Sequence, residues 1–306
     1  MNRNSKVGVA IVAASGYAPD DAALACAIER LQTQGCVVHS YYAPSKKHER
    51  FGGTDEGRIA QLHAAAADPD VQIVLALRGG YGMSRILPAL DLEMLAASGK
   101  LFVGHSDFTA LQMALLAKHD AVTFAGPMVS IDFSRADPSD FTLQHFWQCV
   151  NGPTHAVHFG ASENPTVDVS GVLWGGNLTM LTHLIGTSYM PRISGGILFI
   201  EDVNEHPYRI ERMLLQMLYG GLLNQSAIVL GDFSSYSLND YDNGYSFDTM
   251  IAYLRERVGV PILTGLPFGH IREKATLAVG AQATLKSNDR TCVLTMSGYP
   301  TLSRAD

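Results

Sequence analysis

A serine stands in "FVGHSDFTAL", residues 102–111, between an apolar run and a helical pattern. Leu101, Phe102 and Val103 read as the end of a buried strand. From Phe108 to Lys118 the apolar residues Phe108, Leu111 and Leu115 recur at helical spacing, and Met113 and Leu116 widen the face. Ser106 at such a junction has two chemical uses. Serine is a favoured N-cap, its hydroxyl accepting a bond from an otherwise unpaired helix N–H; Asp107 would then suit the dipole of the first turn. The other use is a nucleophile on a sharp strand-to-helix turn. That turn needs a small residue nearby, and the next backbone N–H becomes an oxyanion donor. Gly104 is such a residue, while Phe108 stands where the second glycine of G-x-S-x-G would be. A nucleophilic serine also needs an adjacent base, and the base an orienting acid.

Three other stretches offer partners. "RGGYG", Arg78 to Gly82, follows an apolar run, and its glycines allow backbone N–H groups to approach a ligand. Read as a dinucleotide loop it lacks the last glycine, because Arg85 stands there. A second oxyanion donor beside Ser106 suits it better, and a plain tight turn is the bland alternative. "GILFIEDVNEHPYRIERML" runs from a strand into acids and then into a helix that Pro207 can begin. Glu201, Asp202, Glu205 and His206 suggest a metal, but helix starts gather acids and no second cluster completes a site. Glu201 directly follows Ile200 at the strand's end, where an acid could orient a histidine. Alternation along the strand sends Glu201 and Asp202 to opposite faces. "LPFGHIREKATLAVG" places His270 in a loop after Gly269. His105 and His119 have no identifiable partner, and Arg272 and Lys274 read as surface charges.

The elements that must position these groups alternate. Strands at "VGVAIVAA", "CVVHSYYA", "VQIVLAL", "LFVG" and "AVTFAG" are separated by helices at 20–34, 55–67, 84–97 and 107–118, with another helix at 138–149. Such order implies an α/β fold with a parallel sheet covered on both faces, whose ligands bind at the carboxyl ends of its strands. Ser106 and the RGGYG loop both lie there. Around 150–170 the chain becomes rich in turn formers and polar residues, reading as a linker or short β segments. The second half mixes strands ("GILFI", "SAIVLG", "PILTGLPFG", "ATLAVGAQATL", "TCVLTMSG") with helices near 176–185, 207–219 and 247–258. Two domains are expected, 1–165 carrying the serine and 166–306 carrying the acid and the histidine.

Composition excludes several classes. The 306 residues are 47% hydrophobic and 17% charged, enough to bury a sizeable core. A net charge of −7 with no basic block argues against nucleic acid and anionic membrane as partners. Four cysteines without C-x-x-C spacing fit reduced thiols. The first apolar run is short for a signal peptide and reads as a first strand, so a cytoplasmic protein is expected.

The chain resembles the LD-carboxypeptidases, the muramoyltetrapeptide carboxypeptidases of bacterial cell-wall recycling. The carriers are "RGGYGMSRIL", "GHSDFTALQ", "TFAGPM", "LWGGNLTML", "EDVNEHPYRIERMLLQ", "NDYDNGY" and "LPFGH", in order along nearly the whole chain. The resemblance implies a serine carboxypeptidase with a Ser106–Glu201–His270 triad and an oxyanion hole of the Gly80 and Asp107 backbone N–H groups. It implies a flavodoxin-like N-terminal domain and a smaller β-rich C-terminal domain, with the site in the groove between them. It further implies a homodimer with neither metal nor organic cofactor. The implied substrate is a murein tetrapeptide, cut at the L,D bond after diaminopimelate to release D-alanine. Arg78, Trp174 and Asn177 are candidates for holding it. One departure is Ala278, where the family often has proline, a residue that would shape a turn or strand start. Three alternatives stay open: a self-immunity peptidase acting on peptide-nucleotide antibiotics, a nucleotide-binding α/β protein, and a non-catalytic module with Ser106 as a cap.

Overall fold

The computed structural model describes residues 6–160, 163–288 and 290–302. In chain order the first elements are β1 (Val7–Val12), α1 (Asp21–Thr33), β2 (Cys36–Ser40), α2 (Asp55–Ala67), β3 (Ile73–Ala76), α3 (Met83–Ile86), α4 (Leu92–Ala97), β4 (Leu101–Gly104), α5 (Thr109–His119) and β5 (Thr123–Ala125). The five strands pair in parallel in the order β2-β1-β3-β4-β5, the flavodoxin-like arrangement. β3 and β4 are buried at every residue. Helices cover both faces of the sheet, and for that reason these strands read as unbroken apolar runs.

The chain continues through α6 (Asp140–Asn151), β6 (Thr154–Phe159), β7 (Val167–Asn177), α7 (Leu178–Leu184), β8 (Ile197–Val203), α8 (Pro207–Tyr219), β9 (Ala227–Ser234), α9 (Phe247–Arg257), β10 (Ile262–Leu263), β11 (Leu277–Val279), β12 (Gln282–Ser287) and β13 (Cys292–Ser297). Seven of these strands form a second sheet in the order β10-β9-β8-β7-β12-β13-β6. β7 is its pivot. Residues 167–172 pair antiparallel with β12, and residues 173–177 pair in parallel with β8. The parallel half carries α7 and α8 in its crossovers, and its strands end where Asn177 and Glu201 stand opposite each other.

The two sheets exchange chain. β6 joins the second sheet although it precedes residue 165. β11, from far beyond that residue, pairs antiparallel with β5 at the edge of the first. "ATLAVGAQATL", expected as one strand, therefore divides. Gly280, with φ of +95°, turns the chain between β11 and β12, which belong to different sheets. Ala278 lies mid-strand in β11, opposite Phe124, rather than at a turn or strand start. Its N–H lies within hydrogen-bond distance of Met296 Sδ, at 3.2 Å.

Candidate active site

β4 delivers the chain to a tight turn at its carboxyl end. Ser106 sits there with φ of +61°, in the left-handed region. A non-glycine residue occupies that region at a cost of about 1–3 kcal/mol. A 3-10 turn, Ser106–Phe108, then leads into α5. The residue flanking that turn is His105, and no side chain makes a capping bond there. The N-cap alternative for Ser106 is thus not formed. Gly104 permits the fold-back: a Cβ at this position would lie 2.9 Å from both the Phe108 ring and the Ala76 Cβ. Phe108, which replaces the second glycine of the elbow pattern, is buried and fills the space that Gly104 leaves.

The RGGYG loop lies against this turn. A Cβ on Gly79 would fall 2.8 Å from both Cβ and Oγ of Ser106, and 3.4 Å from the backbone nitrogen of Asp107. Gly80 follows with its N–H unused by any group among the described residues. The buried Asp107 side chain does more than face a helix dipole. Its carboxylate accepts the Ser15 hydroxyl at 2.5 Å and the Met83 N–H at 2.8 Å. One acid thereby ties the serine turn to the segment after β1 and to the first residue of α3, just beyond the glycine loop.

The second sheet brings an acid and an imidazole together. Glu201 is fully buried near the end of β8. Its Oε2 accepts the Nδ1–H of His270 at 2.7 Å, and its Oε1 accepts the Asn177 amide at 3.2 Å. Simple strand alternation does not hold at this point. The register shifts between Ile200 and Asp202, and Asn177 Nδ2 reaches Asp202 as well, at 3.0 Å. The two acids part nonetheless. Asp202 accepts the N–H and the hydroxyl of Thr179, each at 2.8 Å, and so holds the first turn of α7; Glu201 is the one bonded to the imidazole.

Burial is the largest influence on His270 and disfavours its charged form. The bond that the imidazole donates to Glu201 and the charge of that carboxylate, helped by the charge of Asp202, outweigh it, and the pKa lies above the ordinary histidine value. With Nδ1–H committed to a carboxylate, Nε2 is left for proton transfer. The neighbouring ring is His105, which sequence reading left without a partner. Its Nδ1–H donates to the Gly126 carbonyl at 2.8 Å. The two imidazoles stand edge to face, centroids 5.2 Å apart, so His270 lies beside the residue that precedes Ser106. Burial, then the charges of Lys274 and His270, hold the His105 pKa well below the usual histidine range, and it is a neutral neighbour.

A buried ion pair braces the His270 loop. Lys274 Nζ donates to Asp132 Oδ1 at 2.7 Å, with both side chains shielded from water. Asp132 lies in a π-helical turn, Val129–Phe133, just after β5. On α6, Thr142 donates its hydroxyl to the Arg272 carbonyl at 2.8 Å and accepts the Lys274 N–H at 2.9 Å. Lys274 is therefore no surface charge: its ammonium is drawn inward by Asp132, and its backbone leads straight into the buried run of β11. Arg272 does stay half exposed, paired with Asp137.

The other sequence candidates separate. Arg78 is half-buried, its Cδ and Nε each 3.2 Å from where a Gly16 Cβ would lie, and it forms no ion pair among the described residues. Trp174 lies in the core. It is fully buried and its indole N–H donates to Gln225 at 3.0 Å, so it presents no face to a ligand. Asn177 lies beside the acid: its amide donates to Glu201 and Asp202, and its carbonyl oxygen caps α7 through the Met180 N–H. The acids and histidine of "EDVNEH" do not converge. Glu205 faces Arg209 at 3.6 Å and His206 faces Asp242 at 3.0 Å.

Residues 9–126 match the family model of the LD-carboxypeptidase N-terminal domain, and residues 170–285 that of the C-terminal domain. The chain belongs to the LD-carboxypeptidase family. This LD-carboxypeptidase is 54% identical to the crystal structure of a muramoyltetrapeptide carboxypeptidase from Oxalobacter formigenes, with a TM-score of 0.93 over 96% of this chain and 100% of that one. It is 32% identical to a probable murein peptide carboxypeptidase of Bacillus subtilis, over 96% of this chain and 92% of the relative. It is 31% identical to a murein tetrapeptide carboxypeptidase of Pseudomonas aeruginosa, over 92% and 93%. A more distant relative, 25% identical over 88% and 86%, is the microcin C7 self-immunity protein of Escherichia coli. The chain is thus a serine-type carboxypeptidase, a hydrolase acting on peptides.

Proposed function

We propose that this LD-carboxypeptidase removes the terminal D-alanine from a murein tetrapeptide, at the L,D bond after diaminopimelate, with Ser106 as nucleophile. The observation that carries the reading is the 2.7 Å bond from His270 to a fully buried Glu201, set beside a serine turn in the left-handed conformation. Ser106 Oγ attacks the scissile carbonyl and its proton passes to His270 Nε2. Glu201 holds the imidazole in the tautomer that can receive it and stabilises the imidazolium that forms. The negative oxygen of the tetrahedral intermediate accepts from the Gly80 and Asp107 N–H groups. The C–N bond then breaks, His270 protonates the departing D-alanine, and an acyl-enzyme remains. Water, activated by the same imidazole, hydrolyses it and restores Ser106.

A carboxypeptidase must also hold its substrate's terminal carboxylate. Arg78, a half-buried cation at the glycine loop with no ion pair among the described residues, is suited to that bidentate task. We assign the nucleophile to the N-terminal unit (1–165) and the acid and base to the C-terminal unit (166–306). The same reading places the enzyme in the cytoplasm, recycling murein fragments as a homodimer, on the strength of its family. No helix among the described residues is long and apolar enough to cross a membrane.

Mass spectrometry of the products tests the substrate. Purified tetrapeptide should lose D-alanine, and pentapeptide, which ends in a D,D bond, should stay intact. D-Alanine release from pentapeptide at a comparable rate, or cleavage of nucleotidyl peptides alone, would overturn the proposal.

A further inference from the structure

The glycine loop that carries the Gly80 N–H has little packed against its tip. A Cβ on Gly80 would meet nothing within 4 Å, and Gly80 and Gly82 both lie in the left-handed region, with φ of +101° and +144°. Before this stretch, the Gly79 carbonyl accepts the Gly16 N–H at 3.2 Å. After it, the Gly82–Met83 peptide group is gripped on both edges. Its carbonyl accepts from Arg58 Nη1 at 2.8 Å, and its N–H donates to Asp107 at 2.8 Å. A peptide group is planar, so bonds to its opposite edges fix the orientation of its plane. Asp107 also supplies the other oxyanion N–H assigned above, so its side chain sets the spacing between the glycine loop and the serine turn.

Arg58 projects from α2 and is 0% exposed. Its Nη1 also donates to the Ala14 carbonyl, just after β1, at 2.5 Å, and its Nη2 to Asp55 at 2.5 Å. The guanidinium lies over the Phe51 ring, 4.7 Å from the centroid, and Nε is buried with no partner among the described residues. Gly82 permits this approach, since a Cβ there would lie 2.7 Å from Nη1 and 2.9 Å from the Phe51 ring. Asp55 also accepts from Arg85 at 2.9 Å, and the Arg85 N–H shares the Gly82 carbonyl at 3.3 Å. Burying a cation is costly, and a well-packed apolar side chain of similar volume is often as stable or more so. An apolar side chain could not bond two carbonyls.

We propose that Arg58 is a positioning residue for the oxyanion hole. By bonding the Gly82 and Ala14 carbonyls it holds the Gly80 N–H at the spacing from the Asp107 N–H that a tetrahedral intermediate requires. This rests on the reading of Ser106 and the two donors above. Arg58, shielded from water, touches neither substrate nor nucleophile. Its effect falls on the transition state, where the negative oxygen develops; the carbonyl of bound substrate asks less of the same donors. Loss of the guanidinium therefore lowers kcat and leaves KM nearly unchanged.

Arg58→Met keeps a stem over Phe51 and removes the donors. Its kcat for D-alanine release should fall about tenfold to a hundredfold, less than the loss of a whole oxyanion donor, with KM close to wild type. The distinguishing probe is a tripeptide analogue with a boronic acid in place of the scissile carbonyl. Ser106 Oγ adds to boron, its proton passes to His270, and the tetrahedral anion places a boron-bound oxygen in the hole. Boronate affinity should weaken by the same factor as kcat/KM, while affinity for the product tripeptide stays unchanged. A variant that had merely lost folded enzyme would lower kcat and leave both affinities intact. That result, or normal turnover in Arg58→Met, would overturn the proposal. Arg58→Lys keeps the cation but cannot span both carbonyls; it should show the same split in smaller measure, and decides the matter if Arg58→Met does not fold. Arg85→Met removes the outer partner of Asp55 and should leave kcat and boronate affinity near wild type; an equal loss there would also overturn the assignment to Arg58. Failure of the wild type to bind the boronate would instead sink the reading of Ser106.

Discussion

Replacing Lys274 with methionine keeps the length of the side chain and removes only its ammonium. In the wild type Nζ lies 2.7 Å from Asp132 Oδ1, with the lysine side chain 0% exposed and the aspartate 2%. The other Asp132 oxygen accepts the Met128 N–H at 2.8 Å, so the substitution strands one carboxylate oxygen against a thioether. Breaking one side of a buried pair costs about 3–5 kcal/mol. In a chain of this size a kilocalorie per mole moves Tm by roughly 2–3 °C, so Tm should fall by roughly 6–15 °C. The loop carrying His270 loses its main brace, and a displacement of the imidazole by an ångström lowers kcat by up to about a hundredfold. The double variant Asp132→Leu/Lys274→Met removes both charges and should recover most of the lost stability, because two apolar groups need no desolvation. Denaturant unfolding gives the stability and D-alanine release the rate. A Lys274→Met protein within about 1 kcal/mol of wild type, or a double variant no more stable than the single one, would refute the assigned brace.

Glu201→Gln removes the two largest influences that raise the His270 pKa, keeps the smaller one from Asp202, and leaves burial, the largest of all, which lowers it. Turnover should drop by about four orders of magnitude, and the acid limb of the residual pH–rate profile should move to lower pH. An acid limb that stays put would contradict the pairing. The raised His270 pKa also contributes stability that is fully present below the unfolded value near ~6.5 and is lost as pH rises through the folded one. Unfolding free energies measured across that window should show the loss in wild type and not in Glu201→Gln. Asp202→Asn should keep kcat within about tenfold of wild type and cost about 1–3 kcal/mol, since its carboxylate holds the start of α7; a dead, fully stable Asp202→Asn enzyme would reverse the roles of the two acids. Gly79→Ala places a methyl 2.8 Å from Ser106 Oγ. It should lower kcat about a hundredfold with the circular dichroism unchanged, and near-normal turnover would show that the glycine loop does not define the serine's position.

The first sheet was readable because its central strands, β1, β3 and β4, are buried on both faces. Continuous apolar runs separated by periodic helices leave few other arrangements, and β1 to β5 follow them. Less readable were features that depend on contacts far along the chain. Nothing local to "ATLAVGAQATL" says that its first half completes one sheet and its second half another. Lys274 sits in a charged stretch, "IREK", and its burial depends on Asp132, 142 positions away. Trp174 looked available because glycines follow it, but its indole N–H is matched by Gln225, 51 positions on. Asn177, singled out for its neighbouring glycines, is also a helix cap that supports two carboxylates, a role no local signal shows. Ser106, Glu201 and His270 each stood out locally, but only motif resemblance joined them, since neither spacing nor periodicity links a turn after β4, the end of β8 and a loop beyond β10. His105 had no signal at all: only the fold brings it edge-on to His270.

The central claim is that Ser106 attacks the substrate, and D-alanine release from purified tetrapeptide by Ser106→Ala tests it most directly. Turnover should fall by about 10⁴-fold or more, with circular dichroism and thermal unfolding close to wild type, because the Ser106 hydroxyl caps no helix. A folded Ser106→Ala enzyme that keeps a tenth of wild-type turnover would contradict it.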